Sequence, residues 1–321
     1  MQPKHYGGIV VCALVALGFS RAASAAVITG SMQDPFDYPA ATQFGTTPNG
    51  GQGWNTSGTT DPNAAGANWG AVNTAGSASA KTATSPGLTY SATGYLAASG
   101  NKLTLDAATG NQVQNVGRIF GGQTIDAGST YFSVLMSRNT ANTQRTFNLA
   151  FFNGTTERFA VGQIGAAAGG TSGNIALLMN NTNPAGLVNS ASPIAMGDSV
   201  THLIVGRIDW VTGGNETVSI WVDPTDVTTE AAAGTIYAST SGFELTALTG
   251  VRPFAGNTIA SPSLPAVSAN YDELRLGGTW ASVTSQAVAV GVGTTPEPGT
   301  MALGLGVIAL TSMPRRRRNR G

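Results

Sequence analysis

The chain has 321 residues and a formal net charge of zero, but its charges are unevenly placed. Residues 26–294 carry nine basic and fifteen acidic side chains, a net charge of −6, whereas basic residues gather near the C-terminus. An acidic body repels nucleic acid, so we predict no nucleic-acid partner. The single cysteine is Cys12, so residues 26–321 can form no disulfide and offer no thiol nucleophile.

The N-terminal segment has the order of a secretory signal peptide. Lys4 precedes an apolar run over 9–19, and Ala23-Ser24-Ala25 supplies the small side chains that a signal peptidase accepts. The run is about half as long as the roughly 20 apolar residues that span a bilayer, which argues against a permanent N-terminal anchor. We therefore predict that signal peptidase removes residues 1–25 during export.

Residues 26–285 are predicted to form one all-β domain. Only 10% of the chain is charged, and short alternating apolar runs are separated by clusters of Gly, Asn, Ser and Thr. Each run offers one face to a core and one to solvent. Gly213-Gly214-Asn215 predicts a hairpin turn, and 279–283 a short helix. The predicted strands are 103–105, 116–121, 130–137, 147–151, 157–164, 174–179, 200–210, 217–222 and 271–277.

Two segments, 42–85 and 185–198, are rich in small and polar residues and are predicted to be loops. Trp54 and Trp69 lie in the first, each next to an asparagine. An exposed aromatic plane beside an amide suits the apolar face and polar rim of a sugar ring, so both are candidate ligand-binding residues. The alternative is that they only pack a glycine-rich loop. Trp210, Trp221 and Trp280 are predicted to be packing residues.

The body lacks a recognisable hydrolytic motif. Its five glutamates are each without a second glutamate at i+4, so the paired carboxylates of glycoside hydrolases are missing. Asp272 and Glu273 are adjacent and should point to opposite faces of a strand, with Glu273 a surface charge near Arg275. From these absences we predict that the chain is not an enzyme. The five glutamates are Glu157, Glu216, Glu230, Glu244 and Glu273.

His202 is the only histidine after residue 25, and no G-x-S-x-G elbow or H-E-x-x-H pair accompanies it. We predict a structural histidine. Calcium accepts scattered oxygen ligands, which Asp223 with Asp226 or Asp34 with Asp37 could contribute. Neither spacing matches a known calcium loop, and such residues more often form turns. We therefore predict no metal and no other cofactor.

The C-terminus has three parts in a fixed order. Pro296, Glu297 and Pro298 favour extended backbone, and 299–313 is uncharged and mainly apolar, as in a membrane-inserted helix. A cluster of arginines follows, and such a cluster stays in the cytoplasm. We predict a linker over 286–294 and a sorting signal over 295–321. The arginines are Arg315, Arg316, Arg317 and Arg318.

This tail resembles the PEP-CTERM sorting signal, and the resemblance implies recognition by an exosortase after export. A permanent C-terminal membrane anchor remains an alternative. The body also resembles secreted bacterial proteins with a concanavalin A-like, or laminin-G-like, lectin and glucanase sandwich. That resemblance implies a jelly roll whose first and last strands lie close together, with a rim or concave face open to ligand. It rests on PFDYPAATQFGTTPNGGQGW (35–54), FFNGTTERFAVGQI (151–164), HLIVGRIDW (202–210), VSIWVDP (218–224) and YDELRLGGTWASV (271–283).

These features predict an exported protein of the cell envelope, outer surface or extracellular matrix, with a structural or glycan-binding role. Its expected partners are signal peptidase, an exosortase, the membrane through the C-terminal segment, and extracellular polysaccharide. A polysaccharide-active enzyme, a glucanase or lyase with a site assembled across strands, is the first alternative. A matrix or anchor protein without a ligand is the second.

Overall fold

The structure, a computed structural model, is a sandwich of two antiparallel sheets. Its strands are numbered in chain order, and almost all of the regular structure is β-strand. The described residues are 32–44, 69–70, 72–95, 100–108, 112–123, 127–139, 143–165, 173–180, 186–245, 247–256, 264 and 266–285.

The first sheet has the strand order β13-β12-β11-β6-β15-β4-β3, and β1 pairs with the far end of β15. The chain's first and last described strands are therefore hydrogen-bonded neighbours, as the sandwich resemblance implied. The strands of this sheet are β1 (Met32–Asp34), β3 (Lys81–Thr84), β4 (Lys102–Ala107), β6 (Gly128–Arg138), β11 (His202–Trp210), β12 (Glu216–Val222), β13 (Ala238–Phe243) and β15 (Val267–Gly277).

The second sheet has the order β10-β9-β8-β7-β14-β5-β2. Its central strands β7 and β8 form a hairpin, and β14 pairs with β7 on the other side. The strands are β2 (Val72–Ala75), β5 (Val113–Gln123), β7 (Thr146–Asn153), β8 (Thr156–Gln163), β9 (Ile175–Met179), β10 (Leu187–Asn189) and β14 (Leu248–Gly256).

The core lies between the two sheets and is rich in aromatic rings. Phe151 of β7 stacks on Phe159 of β8 with ring centroids 4.4 Å apart, and Phe132 of β6 meets Phe151 from the opposite sheet at 4.6 Å. Side chains of a strand alternate between its faces, so Phe147, Leu149 and Phe151 enter this core together. Asn148, Ala150 and Phe152 consequently point to the outer face of the second sheet.

The outer face of the first sheet is covered by a second, smaller core. The helix α1 (Trp280–Thr284) follows β15, and its Trp280 packs edge-on against Trp221 with ring centroids 5.2 Å apart. Leu88 and Val227, from two connecting segments, join the same cluster. Trp210, Trp221 and Trp280 are all buried, as predicted. The prediction that this face would be open to solvent along the strands is wrong.

Most predicted strands are confirmed, and so are the hairpin between β11 and β12 and the short helix. The two predicted loops are corrected: 42–85 contains β2 and β3, and 185–198 contains β10. β13 and β14 were also missed, because ASTSGF has little apolar character and LTGVRPFAG is interrupted by glycine and proline. Sheet pairing outweighs these weak local preferences.

Within the described part of the chain, no helix is both long and apolar enough to cross a membrane. The predicted signal peptide over 1–25, linker over 286–294 and sorting signal over 295–321 lie outside the described residues. They remain predictions.

Candidate functional site

The residues singled out from the sequence do not form a site among the described residues. Trp54 and the predicted sorting residues, Pro296 to Pro298 and Arg315 to Arg318, lie outside them. Trp69 is only 1% exposed, and its indole Nε1 donates to Asp34 Oδ2 at 2.7 Å. Trp69 also packs against Phe36 at 5.2 Å. The tryptophan proposed as a sugar contact thus lies in the core.

Asp34 is the acceptor at the centre of a buried polar cluster. Its carboxylate receives the backbone N–H of Phe36 at 2.9 Å and the Tyr38 hydroxyl at 2.8 Å, besides Trp69. It also forms a 2.5 Å ion pair with Arg118 Nη1, and both side chains are at most 1% exposed. Protein donors therefore occupy the carboxylate that was considered for calcium.

Asp223 and Asp226, which were also considered for calcium, bind protein groups as well. Asp223 Oδ2 lies 2.7 Å from His202 Nδ1, and Asp223 Oδ1 accepts the backbone N–H of Leu203. Asp226 accepts the backbone N–H and the hydroxyl of Thr228, as a turn aspartate does. Among the residues described, no group of three or more His, Cys, Asp and Glu side chains is arranged to hold a metal ion.

The Asp272–Glu273 pair differs from its prediction. A bulge lies between Asp272 and Arg275, and Glu273 has a φ of 49°. Glu273 is buried and pairs with Arg275 at 2.6 Å, so it is not a surface charge. Asp272 is buried on the outer side of the first sheet and accepts the backbone N–H groups of Leu88 and Glu273. A bulge breaks the strict alternation on which the prediction depended.

A half-exposed polar cluster lies on the same side of the first sheet. The guanidinium of Arg207 is held by Asp209, 2.9 Å from its Nε, and by Glu230. Glu230 also accepts the Tyr131 hydroxyl at 2.9 Å. Burial raises the pKa of Tyr131, and its bond to Glu230 adds to the rise. The polar groups of this cluster bind one another, which is typical of a structural ion-pair network.

The outer face of the second sheet carries a different arrangement. Arg252 of β14 lies over the ring of Phe152, 4.6 Å from its centroid, and reaches Glu157 of β8 at 2.6 Å. The Phe254 ring is 5.5 Å from the same guanidinium. The side chains of Arg252 and Glu157 are 17% and 8% exposed. The result is an ion pair that packs against aromatic rings. The neighbouring residues of this face are buried: Phe152 is 3% exposed and Phe254 6%.

Among the described residues, two buried polar atoms on this face have no hydrogen-bond partner. They are the Nε of Arg252 and the Oδ1 of Asn148, a residue only 5% exposed. Asn148 pairs with Phe254, and Arg252 pairs with Ala150, so Asn148 and Arg252 are diagonal neighbours on adjacent strands. Long side chains in that relation can reach a common ligand. A buried polar group without a partner costs free energy, which a bound ligand can recover.

Small residues form the floor beside these groups. Ala160 lies across from Ala150 and Gly162 across from Asn148, and both alanines are buried. Burial raises the pKa of Glu157, and Arg252 opposes the rise to a smaller extent. Burial likewise lowers the pKa of Arg252, opposed by Glu157. A donor, an acceptor and a protonatable carboxyl thus share one largely buried, aromatic-lined cluster, which we call the Arg252 face.

No protein-family profile matches the sequence, and no curated protein matches it. Solved structures of similar fold include an endo-β-1,4-glucuronan lyase from the fungus Trichoderma reesei, 14% identical with a TM-score of 0.35, over 61% of this chain and 89% of that one. An alginate lyase solved with an alginate tetrasaccharide is 11% identical with a TM-score of 0.46, over 77% and 96% of the two chains. These likenesses concern the sandwich fold.

The prediction that the chain is not an enzyme is corrected. Several of the similar solved structures are polysaccharide lyases, including a further alginate lyase at 8% identity and a TM-score of 0.36, over 64% of this chain and 90% of that one. The prediction depended on the absence of paired carboxylates, which glycoside hydrolases require. A lyase breaks the bond by elimination, so that pair is not a general test for catalysis.

Little in the sequence indicates the Arg252 face. Arg252, Asn148 and Glu157 lie in different strands, and the closest two in sequence are Asn148 and Glu157. The one usable signal was the run of small and polar residues that alternates with core residues in β7 and β8. By itself that pattern predicts an ordinary solvent face.

Proposed function

We propose that this is an exported protein of the cell envelope or extracellular matrix that binds polysaccharide through the Arg252 face. The composition of the two chain ends supports export and sorting by an exosortase-type system. The observation that carries the binding proposal is the pair of unpartnered polar atoms, Asn148 Oδ1 and Arg252 Nε, beside the rings of Phe152 and Phe254. Sugars bind where aromatic planes and polar groups converge.

Replacing Asn148 with leucine tests the binding proposal. Leucine keeps the volume but removes the acceptor, so affinity for a bound polysaccharide should fall roughly five- to tenfold, the value of about one hydrogen bond. Isothermal titration against neutral glucan, glucuronan and alginate oligosaccharides measures this. Thr217→Val, which removes a hydroxyl from the other sheet, is the matched control and should bind as the wild type does. Equal affinities for the Asn148→Leu variant and the wild type would argue against this face.

A second candidate function is cleavage of the bound polysaccharide. The favouring observation is Glu157, whose burial raises its pKa and so makes it a better proton donor than an exposed glutamate. Reducing-end release reports hydrolysis, and ultraviolet absorbance of an unsaturated product reports elimination. Wild-type protein and Glu157→Gln should be compared on each polymer that binds. Cleavage that persists in the variant would remove Glu157 from this role.

The sorting proposal has its own experiment. The arginines at 315–318 should retain the C-terminus in the cytoplasm while the Pro-Glu-Pro segment is processed outside. We expect the mature protein, recovered from envelope and medium, to begin near Ala26 and to have lost the residues after the Pro-Glu-Pro segment. Intact-mass spectrometry checks both ends. A mature chain that still ends at Gly321 would favour a permanent anchor.

A further inference from the structure

We infer that the tip of the β7–β8 hairpin is a site of asparagine deamidation, and that the Thr249 hydroxyl protects it in the folded protein. The group at risk is the side-chain amide of Asn153, the last residue of β7, which is followed by Gly154. The product is an aspartyl or isoaspartyl residue at position 153. This modification is independent of the proposed polysaccharide binding.

The geometry of the turn explains why a glycine follows Asn153. Asn153 pairs with Thr156, so only Gly154 and Thr155 form the loop. Gly154 has a φ of 60°, and glycine adopts the positive φ that such a loop requires at its first position without strain. A Cβ atom at residue 154 would meet no other atom within 4 Å, so the turn is open to water.

An asparagine followed by glycine can deamidate without an enzyme. The backbone nitrogen of Gly154 attacks Cγ of Asn153 and loses its proton, a five-membered succinimide closes, and the side-chain amide leaves as ammonia. Water then opens the ring at either carbonyl carbon, which yields aspartate or isoaspartate. One water enters and one ammonia leaves, so no oxidant or cofactor is needed. The reacting atoms belong to adjacent residues, which gives the attack the high effective concentration of an intramolecular step.

Thr249 of β14 binds the nitrogen that would attack. The N–H of Gly154 donates to Thr249 Oγ1 at 2.7 Å, and the Thr249 hydroxyl donates in turn to the Phe152 carbonyl at 3.2 Å. The attack requires this nitrogen to lose its proton and approach Asn153 Cγ, which breaks the first of these bonds. The second bond fixes the hydroxyl against the end of β7. The hairpin is thus held in an arrangement that opposes the reaction.

The modification has a structural consequence for the hairpin. The neutral amide becomes a carboxylate, so the acidic body gains a further negative charge. In the isoaspartyl form the main chain runs through the former side chain and is one carbon longer. A loop of two residues has no room for that carbon while positions 153 and 156 remain paired. Isoaspartate at position 153 is therefore incompatible with the present register.

Deamidation rates of the folded and the unfolded protein test the site. The full chain is incubated at mildly alkaline pH with and without guanidinium chloride, and the peptide that contains Asn153 is followed by mass spectrometry. We expect the rate in denaturant to be at least about tenfold higher, because unfolding removes the bond to Thr249 and the fixed turn. Asn49, which also precedes a glycine, reports the chemistry in denaturant. Equal rates, or an Asn153 that stays intact in denaturant, would overturn the inference.

Variants of Thr249 separate its effect from that of the fold as a whole. Thr249→Val keeps the shape and removes the hydroxyl, so deamidation of the folded protein should rise roughly five- to tenfold, the value of about one hydrogen bond. Thr249→Ser keeps the hydroxyl and should stay near the wild-type rate. Thr217→Val, on β12 of the other sheet, is the matched control and should not change the rate. Circular dichroism confirms that each variant is folded.

The outcomes distinguish the site from its protection. An unchanged rate in folded Thr249→Val, or an equal rise in Thr217→Val, contradicts the role of Thr249. Hydrogen exchange of the Gly154 amide in the wild type provides a second measurement that needs no variant. Slow exchange is expected of an N–H bonded to Thr249, and exchange as fast as in the unfolded chain would remove that role even if Thr249→Val does not fold.

Discussion

Replacing Asp34 with alanine is expected to destabilise the protein by about 3–5 kcal/mol, because it leaves the buried charge of Arg118 without its partner. Arg118 is fully buried and pairs with Asp34 at 2.5 Å. Three further donors would lose their common acceptor: the Phe36 N–H, the Tyr38 hydroxyl and the Trp69 indole. Burial lowers the pKa of Arg118, and Asp34 opposes this. Urea unfolding of the folded body measures the loss.

Two further variants show which part of the interaction matters. Asp34→Asn keeps an acceptor and removes the charge. Its free energy of unfolding should therefore fall less than that of Asp34→Ala but remain clearly below that of the wild type. Asp106→Ala changes an exposed aspartate that accepts the Ser268 hydroxyl, and it should cost less than about 1 kcal/mol. Equal losses in Asp34→Ala and Asp106→Ala would refute the role given to the buried cluster.

Stability should fall as the pH rises from about 4 to about 8, and Asp272 should account for a measurable part of the fall. Burial raises the pKa of Asp272 to about 8, partly opposed by the N–H groups of Leu88 and Glu273. The unfolded value is about 4, so the folded state binds the proton more tightly. The stabilisation is complete below the unfolded pKa and is lost as the pH passes through the folded one, on the order of 3–5 kcal/mol in total.

The groups around Asp272 make an ionised carboxylate costly. Glu273 is a second buried carboxylate, and Arg275 is the cation that pairs with Glu273. The Tyr95 hydroxyl is buried without a partner, and its ring lies 5.4 Å from the Arg275 guanidinium. Lys102, on β4, favours the ionised form but binds the Pro86 carbonyl. Ionisation of Asp272 would add a negative charge to those of Glu273 and Asp34, while the Arg275 guanidinium is already paired with Glu273.

Asp272→Asn isolates this effect. The amide cannot ionise, so the difference in unfolding free energy between pH 5 and pH 8 should be smaller than in the wild type by roughly 2 kcal/mol or more. One of the two backbone N–H groups, of Leu88 or Glu273, loses its acceptor, so the variant should be less stable than the wild type at low pH. Asp106→Asn, an exposed aspartate, should keep the wild-type slope. An unchanged slope in Asp272→Asn would show that Asp272 does not titrate in this range.

The sequence predicted strands well where apolar residues alternate without interruption. β7, β11 and β12 are of this kind, and the Gly-Gly-Asn turn between β11 and β12 was evident from its residue types. β13 and β14 escaped because their residues have weak strand preference and sheet pairing supplies the rest. Strands that were predicted to have one solvent-exposed face were often covered on both faces. Trp221 and Trp280, for example, belong to the cluster that covers the outer face of the first sheet.

The candidate site could not be predicted in the same way. Arg252 and Glu157 are 95 residues apart, and Asp34 and Arg118 are 84 apart. Nothing local distinguishes a glutamate that will be buried against an arginine from one on the surface. The prediction for Glu273 was wrong for a related reason, because a single bulge moved its side chain.

The sequence by itself determined the all-β class, the hairpin turn, the acidic character of the body and the three-part composition of the C-terminus. Each is a property of neighbouring residues, whose periodicity and charge act over one turn or one strand. Only the tertiary structure decided which polar groups share a face and which lose their solvent. Those outcomes follow from strand order and register, which bring distant residues together, and from burial, which makes an unpaired polar atom costly.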